Sequence, residues 1–314
     1  MANLLVHIAD FDEADAARRF AEALPAHTVL RRHDDFDPAT IDYVFVWKPT
    51  PEAFDGLSGL KAILSFGAGV DALLGHPRLP DAPIARYVED DLTQRMSDYV
   101  LANVLMHTRL HTRFRADQEA KRWVQLYPPP SSTVTVGIMG AGVLGQDALR
   151  HLKVFGFKLR VWSRTRAQID GVEAFAGPGE LDAFLAGTDV LVNLLPLTPE
   201  TRGILNYETF GKLSRDGLTD GPVVINAGRG GHQSETDLRR ALTDGTLGAA
   251  SLDVFEVEPL PPSSPLWELP NCVITPHIGA ASDVAAYVAY FSKVVTDHEA
   301  GKPLPHVIDR QRGY

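Results

Sequence analysis

Cysteine is almost missing from this chain. Cys272 stands alone, so no bridge can close within the chain, and a reducing compartment, the cytoplasm by default, is its expected home. Long apolar runs are missing as well. No stretch approaches the ~20 residues that a membrane-crossing helix needs. The opening Met1-Ala2-Asn3-Leu4-Leu5-Val6-His7 also lacks the basic flank and apolar length of a secretory leader. Positive charge is in deficit: 30 Lys and Arg face 40 Asp and Glu, a net charge of −10. Nucleic acid and anionic membranes are therefore not expected partners, and any anionic ligand must be held by a local positive site.

What is present is ordinary globular material. The 314 residues are 45% hydrophobic and 22% charged, enough for about two domains with a core each. Short β-branched runs alternate with helical patterns, which predicts an α/β protein with parallel sheets. A first unit reads as strand Leu4–Ala9, helix Glu13–Leu24 and strands Thr28–Arg31, Tyr43–Trp47 and Ala62–Ser65. From Thr93 to Trp123 the pattern is helical throughout. This predicts a helix too long for one small domain, ending in the stiff segment Tyr127-Pro128-Pro129-Pro130-Ser131-Ser132. A second unit starts at Thr133, with strands expected at Val134–Met139, Leu159–Trp162, Val190–Asn193, Val223–Asn226, Ala249–Leu252 and Val273–Thr275. A last helix is expected over Ser282–Glu299, followed by a polar tail.

The most informative motif is Gly140-Ala141-Gly142-Val143-Leu144-Gly145, which follows a buried-strand pattern and opens a helix. Gly140 permits a tight turn, Gly142 lets a pyrophosphate approach the backbone, and Gly145 lets helix and strand pack closely. The phosphates are expected at the helix N-terminus, where unpaired N–H groups favour anions. Asp147 sits early in that helix and is expected to face solvent. The next strand ends in Ser163-Arg164-Thr165-Arg166, where NAD-specific sites carry an acid for the ribose 2′-hydroxyl; the nearest acid downstream is Asp170. Hydroxyl donors and the Arg164 charge suit a 2′-phosphate instead. NADP(H) is therefore the expected cofactor, with NAD(H) accepted more weakly.

Three later segments each end an expected strand, which is where open α/β sheets hold ligands. They are Asn226-Ala227-Gly228-Arg229-Gly230-Gly231, Asp253-Val254-Phe255-Glu256-Val257-Glu258-Pro259 and Thr275-Pro276-His277-Ile278-Gly279. Arg, Glu and His in this order resemble the D-isomer-specific 2-hydroxyacid dehydrogenase family. The match runs through Pro196-Leu197-Thr198-Pro199-Glu200-Thr201 and the glycine loop, and covers most of the chain. Trp47-Lys48-Pro49, the Ser-Arg-Thr strand end and Arg312-Gly313-Tyr314 look most like its bacterial glyoxylate/hydroxypyruvate reductase A branch.

The resemblance implies two Rossmann-like or flavodoxin-like domains. Residues 96–281 would be a dinucleotide-binding domain inserted in a substrate domain of residues 1–95 and 282–314, with the active site in the cleft. It implies a homodimer through the long helix and following arm, with Trp123 able to approach the partner's site. It implies reduction of small 2-oxo acids such as glyoxylate and hydroxypyruvate, with Arg229, Glu258 and His277 catalytic. Leu195, Pro196, Ala227, Gly228, Arg229, Asp253 and His277 join the glycine loop and Ser163, Arg164 and Thr165 around the cofactor.

The chemistry explains these residue types. Reducing a 2-oxo acid takes a hydride to carbon and a proton to oxygen, and a histidine supplies protons near neutral pH. A carboxylate on the other ring nitrogen favours the imidazolium and orients the ring. Arg229 can polarise the carbonyl and grip the carboxylate together, which lysine cannot. In the first unit, consecutive N–H groups at Gly67, Ala68 and Gly69 can form an anion nest for the substrate carboxylate. Asp71 is expected to be a local cap, and Trp47 either walls the substrate pocket or fills the core. His107 and His111 lie four apart on a helix, but without the glutamate of a zinc motif or a third ligand they read as a solvated face, and no metal is expected. Two rivals remain: a dehydrogenase of bulkier 2-oxo acids, and a dinucleotide-sensing binding protein without turnover.

Overall fold

The computed structural model describes residues 1–9 and 12–313; Tyr314, one of the three terminal residues singled out above, lies outside them. The chain forms two compact units, Met1–Leu92 with Ser282–Tyr314, and Thr93–Ala281.

The first unit contains β1 (Asn3–Ile8), α1 (Glu13–Ala23), β2 (Thr28–Arg31), β3 (Tyr43–Trp47), β4 (Ala62–Ser65), a short α2 (Asp71–Leu74) and β5 (Ile84–Arg86). The sheet order is β2-β1-β3-β4-β5 with every pair parallel, a flavodoxin-like arrangement. Strands β3 and β4 read as unbroken apolar runs because both faces are covered; Tyr43 to Val46 and all of β4 are buried. Helix α1 starts where the Asp12 carboxylate accepts from the N–H groups of Ala14 and Asp15, and it buries Ala16, Ala17 and Phe20 on one face. Asp71 is not the expected cap: it stands inside the first turn of α2, and Val70 occupies the cap position.

The second unit begins within α3 (Asp90–Thr108) and continues with α4 (His111–Glu119). The continuous helix expected from Thr93 to Trp123 is thus two helices. Leu110 turns into the left-handed region at φ 60° and is buried, so its side-chain packing replaces a straight continuation. Then come β6 (Thr135–Met139), α5 (Val143–Val154), β7 (Lys158–Ser163), β8 (Glu173–Ala176), α6 (Leu181–Ala186), β9 (Val190–Asn193), α7 (Tyr207–Gly211), β10 (Val223–Asn226), α8 (Glu235–Asp244), β11 (Ala249–Leu252) and β12 (Cys272–Ile274). The seven strands lie in the order β12-β11-β10-β9-β6-β7-β8, all parallel, which is the doubly wound Rossmann order with one strand added.

The last helix, α9 (Val284–Glu299), belongs to the first unit and is capped by Asp283, whose carboxylate accepts from Ala286 N–H. Its far end is anchored where the Tyr43 hydroxyl meets His298 Nδ1 at 2.7 Å and Glu299 Oε1 at 2.6 Å. The polar tail adds an antiparallel bridge from Val307 to Ala85, and Arg310 donates to the carbonyls of Pro80 and Ala82. Among the described residues no helix is long and apolar enough to cross a membrane.

Candidate active site

Strand β6 delivers the glycine loop to the point where strand order reverses, between β6 and β9. A Cβ on Gly145 would stand 1.9 Å from the Gly140 carbonyl oxygen, so only glycine lets α5 start this close to the strand. Gly140 has φ 113°, a conformation side chains rarely adopt, and a Cβ there would press on the Leu194 carbonyl. Gly142 differs: a Cβ there would meet nothing within 4 Å. No side chain caps α5, and the N–H groups from Ala141 to Gly145 have no partner among the described residues. An open space faced by unpaired donors and the positive end of a 12-residue helix suits a pyrophosphate. The residues present therefore fit a dinucleotide.

Asp147 does not oppose that anion from solvent as expected. Its side chain is only 13% exposed, and it accepts from the Ser97 hydroxyl at 2.5 Å and pairs with Arg150, which together hold its carboxyl below the usual range against the effect of burial.

At the end of β7, the Ser163 hydroxyl donates to the Thr165 carbonyl at 2.7 Å, which shapes the turn. Arg166 is tied to Glu180 and to the Ala174 carbonyl, while Arg164 and Thr165 are exposed. Asp170 pairs with Lys153 at 2.8 Å. Of the two arginines in this turn, Arg166 is held by Glu180, and the charge of Arg164 acts on the Glu200 carboxylate.

Strands β9 to β12 end in the polar segments singled out from the sequence. Leu195, Ala227 and Gly228 are buried, and Pro196 is half-buried. Arg229 follows β10, half-buried, and its Nη1 donates to the Gly228 carbonyl at 2.8 Å. Asp253 ends β11 and is 2% exposed; it accepts from the Thr275 hydroxyl and the N–H groups of Ile278 and Gly279 at 2.6 to 3.0 Å. That clamp fixes the loop carrying His277, which itself has φ 56°. Glu258 closes the arrangement. Its Oε1 accepts from Phe255 N–H at 3.1 Å, and its Oε2 lies 2.7 Å from His277 Nδ1, leaving Nε2 as the outward nitrogen. His277 and Glu258 are thus paired, and Arg229, Glu258 and His277 extend from three neighbouring strands.

In the first unit, the N–H groups of Gly67, Ala68 and Gly69 have no partner among the described residues. A Cβ on Gly67 would lie 2.7 Å from Trp47 Cζ3, so the half-buried Trp47 ring lies against this loop. Sequence reasoning missed Arg86, at the end of β5, whose Nη1 donates to the Ala68 carbonyl at 3.1 Å. Burial lowers its pKa, but a guanidinium stays charged. No sequence signal marks it, because the three-residue strand that carries it is not legible.

His107 corrects another expectation. It is 4% exposed rather than on a solvated face, with Nε2 2.8 Å from the Ser251 hydroxyl. Among the described residues no three His, Cys, Asp or Glu side chains converge on a metal site.

A doubly wound parallel sheet with an open glycine loop defines a dinucleotide-binding α/β protein. The family described as D-isomer specific 2-hydroxyacid dehydrogenase, NAD binding domain, matches residues 101–279. Glyoxylate/hydroxypyruvate reductase A of Escherichia fergusonii is 41% identical over 319 residues, covering 99% of this chain and 100% of that protein. A probable 2-hydroxyacid dehydrogenase of Rhizobium etli, solved with NADP, HEPES and L(+)-tartaric acid, is 46% identical with a TM-score of 0.93. An NADPH-dependent glyoxylate/hydroxypyruvate reductase of Sinorhizobium meliloti, solved with NADP and sulfate, is 45% identical with a TM-score of 0.94. Both structures are covered completely and cover this chain completely. The chain belongs to the D-isomer-specific 2-hydroxyacid dehydrogenase family.

Proposed function

We propose that this protein reduces glyoxylate and hydroxypyruvate to glycolate and glycerate with NADPH. The observation that carries the reading is the 2.7 Å contact between Glu258 and His277 at the strand ends of a dinucleotide-binding unit. NADPH, when bound, supplies the hydride. His277 holds the proton that the carbonyl oxygen takes up, and it presents that proton from Nε2 because Nδ1 faces Glu258. Glu258 orients the ring through its contact with Nδ1. Arg229 binds the substrate carboxylate and polarises the carbonyl. Hydride and proton together turn the 2-oxo acid into the 2-hydroxy acid, with no other group consumed.

Supporting roles are assigned on the same basis. Residues 96–281 form the dinucleotide-binding domain, and residues 1–95 with 282–314 form the substrate domain. Gly140 to Gly145 hold the pyrophosphate, and Arg164, with Ser163 and Thr165, meets the 2′-phosphate. Leu195, Pro196, Ala227, Gly228 and Asp253 complete the cofactor surroundings. Gly67, Ala68 and Gly69 bind the substrate carboxylate through backbone N–H groups, with Trp47 beside them. The protein acts as a cytoplasmic homodimer. The break at Leu110 leaves no single long helix to support a dimer, but Trp123 and Tyr127 are 94% and 86% exposed, which suits an arm covered by a second copy.

Following NADPH oxidation against a panel of 2-oxo acids tests the reading. Glyoxylate and hydroxypyruvate should give the highest kcat/KM. A much higher value for phenylpyruvate or a branched acid would move the protein to bulkier substrates. Tight NADPH binding without any turnover would make it a sensor.

A further inference from the structure

His232 is a buried histidine that the reaction as described does not use. It is fully buried in the second unit, three residues after Arg229, and both ring nitrogens meet main-chain groups of fixed polarity. The Arg229 N–H points at Nδ1 at 3.1 Å, so Nδ1 must accept. Nε2 lies 3.2 Å from the Pro196 carbonyl, which has no proton to give, so Nε2 must donate. These contacts assign a single neutral tautomer without reference to any movable hydrogen.

The surroundings reinforce the assignment. Asn193 Nδ2 gives one hydrogen to His232 Nδ1 at 2.9 Å and the other to Asn226 Oδ1 at 2.9 Å. Asn226 Nδ2 in turn donates to the Arg229 carbonyl and to Gln233 Oε1. The Arg229 main chain is therefore held on both sides, its N–H by His232 Nδ1 and its carbonyl by Asn226 Nδ2. Gly228 is glycine for the same reason: a Cβ there would lie 2.7 Å from Asn193 Nδ2 and 3.0 Å from His232 Nδ1. A buried network this fully satisfied has one geometry.

We propose that His232 is the positioning residue for Arg229. Its Nδ1 sets the direction of the peptide from which the guanidinium is presented, and its Nε2 ties that peptide to the Pro196 loop. The inference rests on the reading of Arg229 as the group that grips the substrate. Main-chain bonds from Gly203 N–H to the Gly231 carbonyl and from Leu205 N–H to the His232 carbonyl hold the loop whatever side chain stands at 232, so variants should fold.

The test compares His232→Asn, whose amide oxygen can take the place of Nδ1, with His232→Gln, whose amide reaches only the place of Nε2. The full-length variants are assayed for glyoxylate KM and kcat, for NADPH Kd by fluorescence titration, and for Tm. His232→Gln should raise glyoxylate KM by about tenfold, the factor of one lost buried hydrogen bond. Its NADPH Kd should stay within about twofold of the unaltered protein, and His232→Asn should recover most of the KM. Equal losses in both variants, or a Kd that weakens as much as KM, would overturn the proposal. Arg229→Lys separates the two levels. If it leaves kcat/KM unchanged, the reading of Arg229 falls and takes this inference with it. If it is damaging while His232→Gln behaves like the unaltered protein, only the positioning role falls.

Discussion

The two units share parallel strands and crossover helices, yet they fill their interiors with different chemistry. In the first, aromatic rings carry the packing. Phe20 stacks on Phe45 at 4.1 Å between centroids, and Phe66 lies between Tyr287 at 4.6 Å and Phe291 at 5.4 Å. In the second, the ends of β9, β10 and β11 bury Asn193, Asn226, Ser251 and Asp253, joined by His232 and Gln233. Ring packing is strong but only loosely directional, whereas a buried polar group that misses its partner is costly. The first interior holds a loop in place by bulk; the second dictates where single atoms stand. Proton transfer needs the second kind.

The largest effect expected from that contrast concerns His277. Replacing it with alanine removes the group proposed to hold the proton while leaving the glycine loop and α5 untouched. Rate should fall by about 10²–10⁴-fold with NADPH Kd little changed. Comparable loss of both would mean that the polar strand ends do not separate proton transfer from cofactor binding. Glu258→Gln refines the point. Losing the carboxylate should lower kcat by freeing the ring that it orients, with NADPH Kd little changed. An unchanged kcat would remove Glu258 from the mechanism.

Much of this contrast is visible in the sequence, and the rest is hidden for physical reasons. Val223-Val224-Ile225-Asn226 is a strand in any context, because an apolar β-branched run ending in a polar residue fits a covered parallel sheet. Glu173-Ala174-Phe175-Ala176 is not legible as one; it is an edge strand defined by its pairing with β7. The three-residue β5 is hidden for a similar reason, since its partners are β4 and the tail. The break between α3 and α4 carries neither glycine nor proline and comes from the burial of Leu110. The Arg229, Glu258 and His277 segments are legible because each keeps its sequence context. The network behind them is not: Asn193 and His232 are 39 residues apart, and His107 meets a serine 144 residues away.

Apart from His232, each unit also buries one histidine whose pKa burial lowers, and acid should find both. Burial alone pushes the His107 pKa from 6.5 down to about 4. His7 in β1 is lowered to about 4 as well, by burial first and then by the charges of Arg32, His33 and His76, opposed by Glu52. Above the unfolded value near 6.5 neither state binds the proton, so full stability is present there. As pH falls from 6.5 towards 4, the unfolded chain takes up a proton that the native chain refuses, and stability drops. For His107 the loss should reach about 2 kcal/mol by about pH 5. Hydrogen exchange on β11 and β1 reads the units separately. His107→Gln should flatten the acid slope in the second unit alone, and His7→Gln that in the first alone. A slope in β11 that persists in His107→Gln would show that another group carries the acid sensitivity of the second unit.

The smallest and most selective effect lies within the second unit, at the exposed end of β7. Arg164 is exposed there, while Arg166 is committed to Glu180 and the Ser163 hydroxyl to the Thr165 carbonyl. On the proposed reading, Arg164 meets the 2′-phosphate. NADPH and NADH differ at the ribose 2′ position, where only NADPH carries a phosphate. A charge-assisted contact in such a setting contributes about 1.5–3 kcal/mol, which corresponds to roughly a 10- to 100-fold change in affinity. Arg164→Ala should accordingly raise the Kd of NADPH by that factor and leave NADH within about twofold. Arg166→Ala should behave in the opposite way, lowering Tm slightly because it releases Glu180 and the Ala174 carbonyl, with less effect on cofactor choice. Fluorescence titration of both cofactors against both variants decides the matter. If Arg164→Ala weakens NADPH and NADH alike, the 2′-phosphate is held elsewhere and the turn after β7 serves the fold alone.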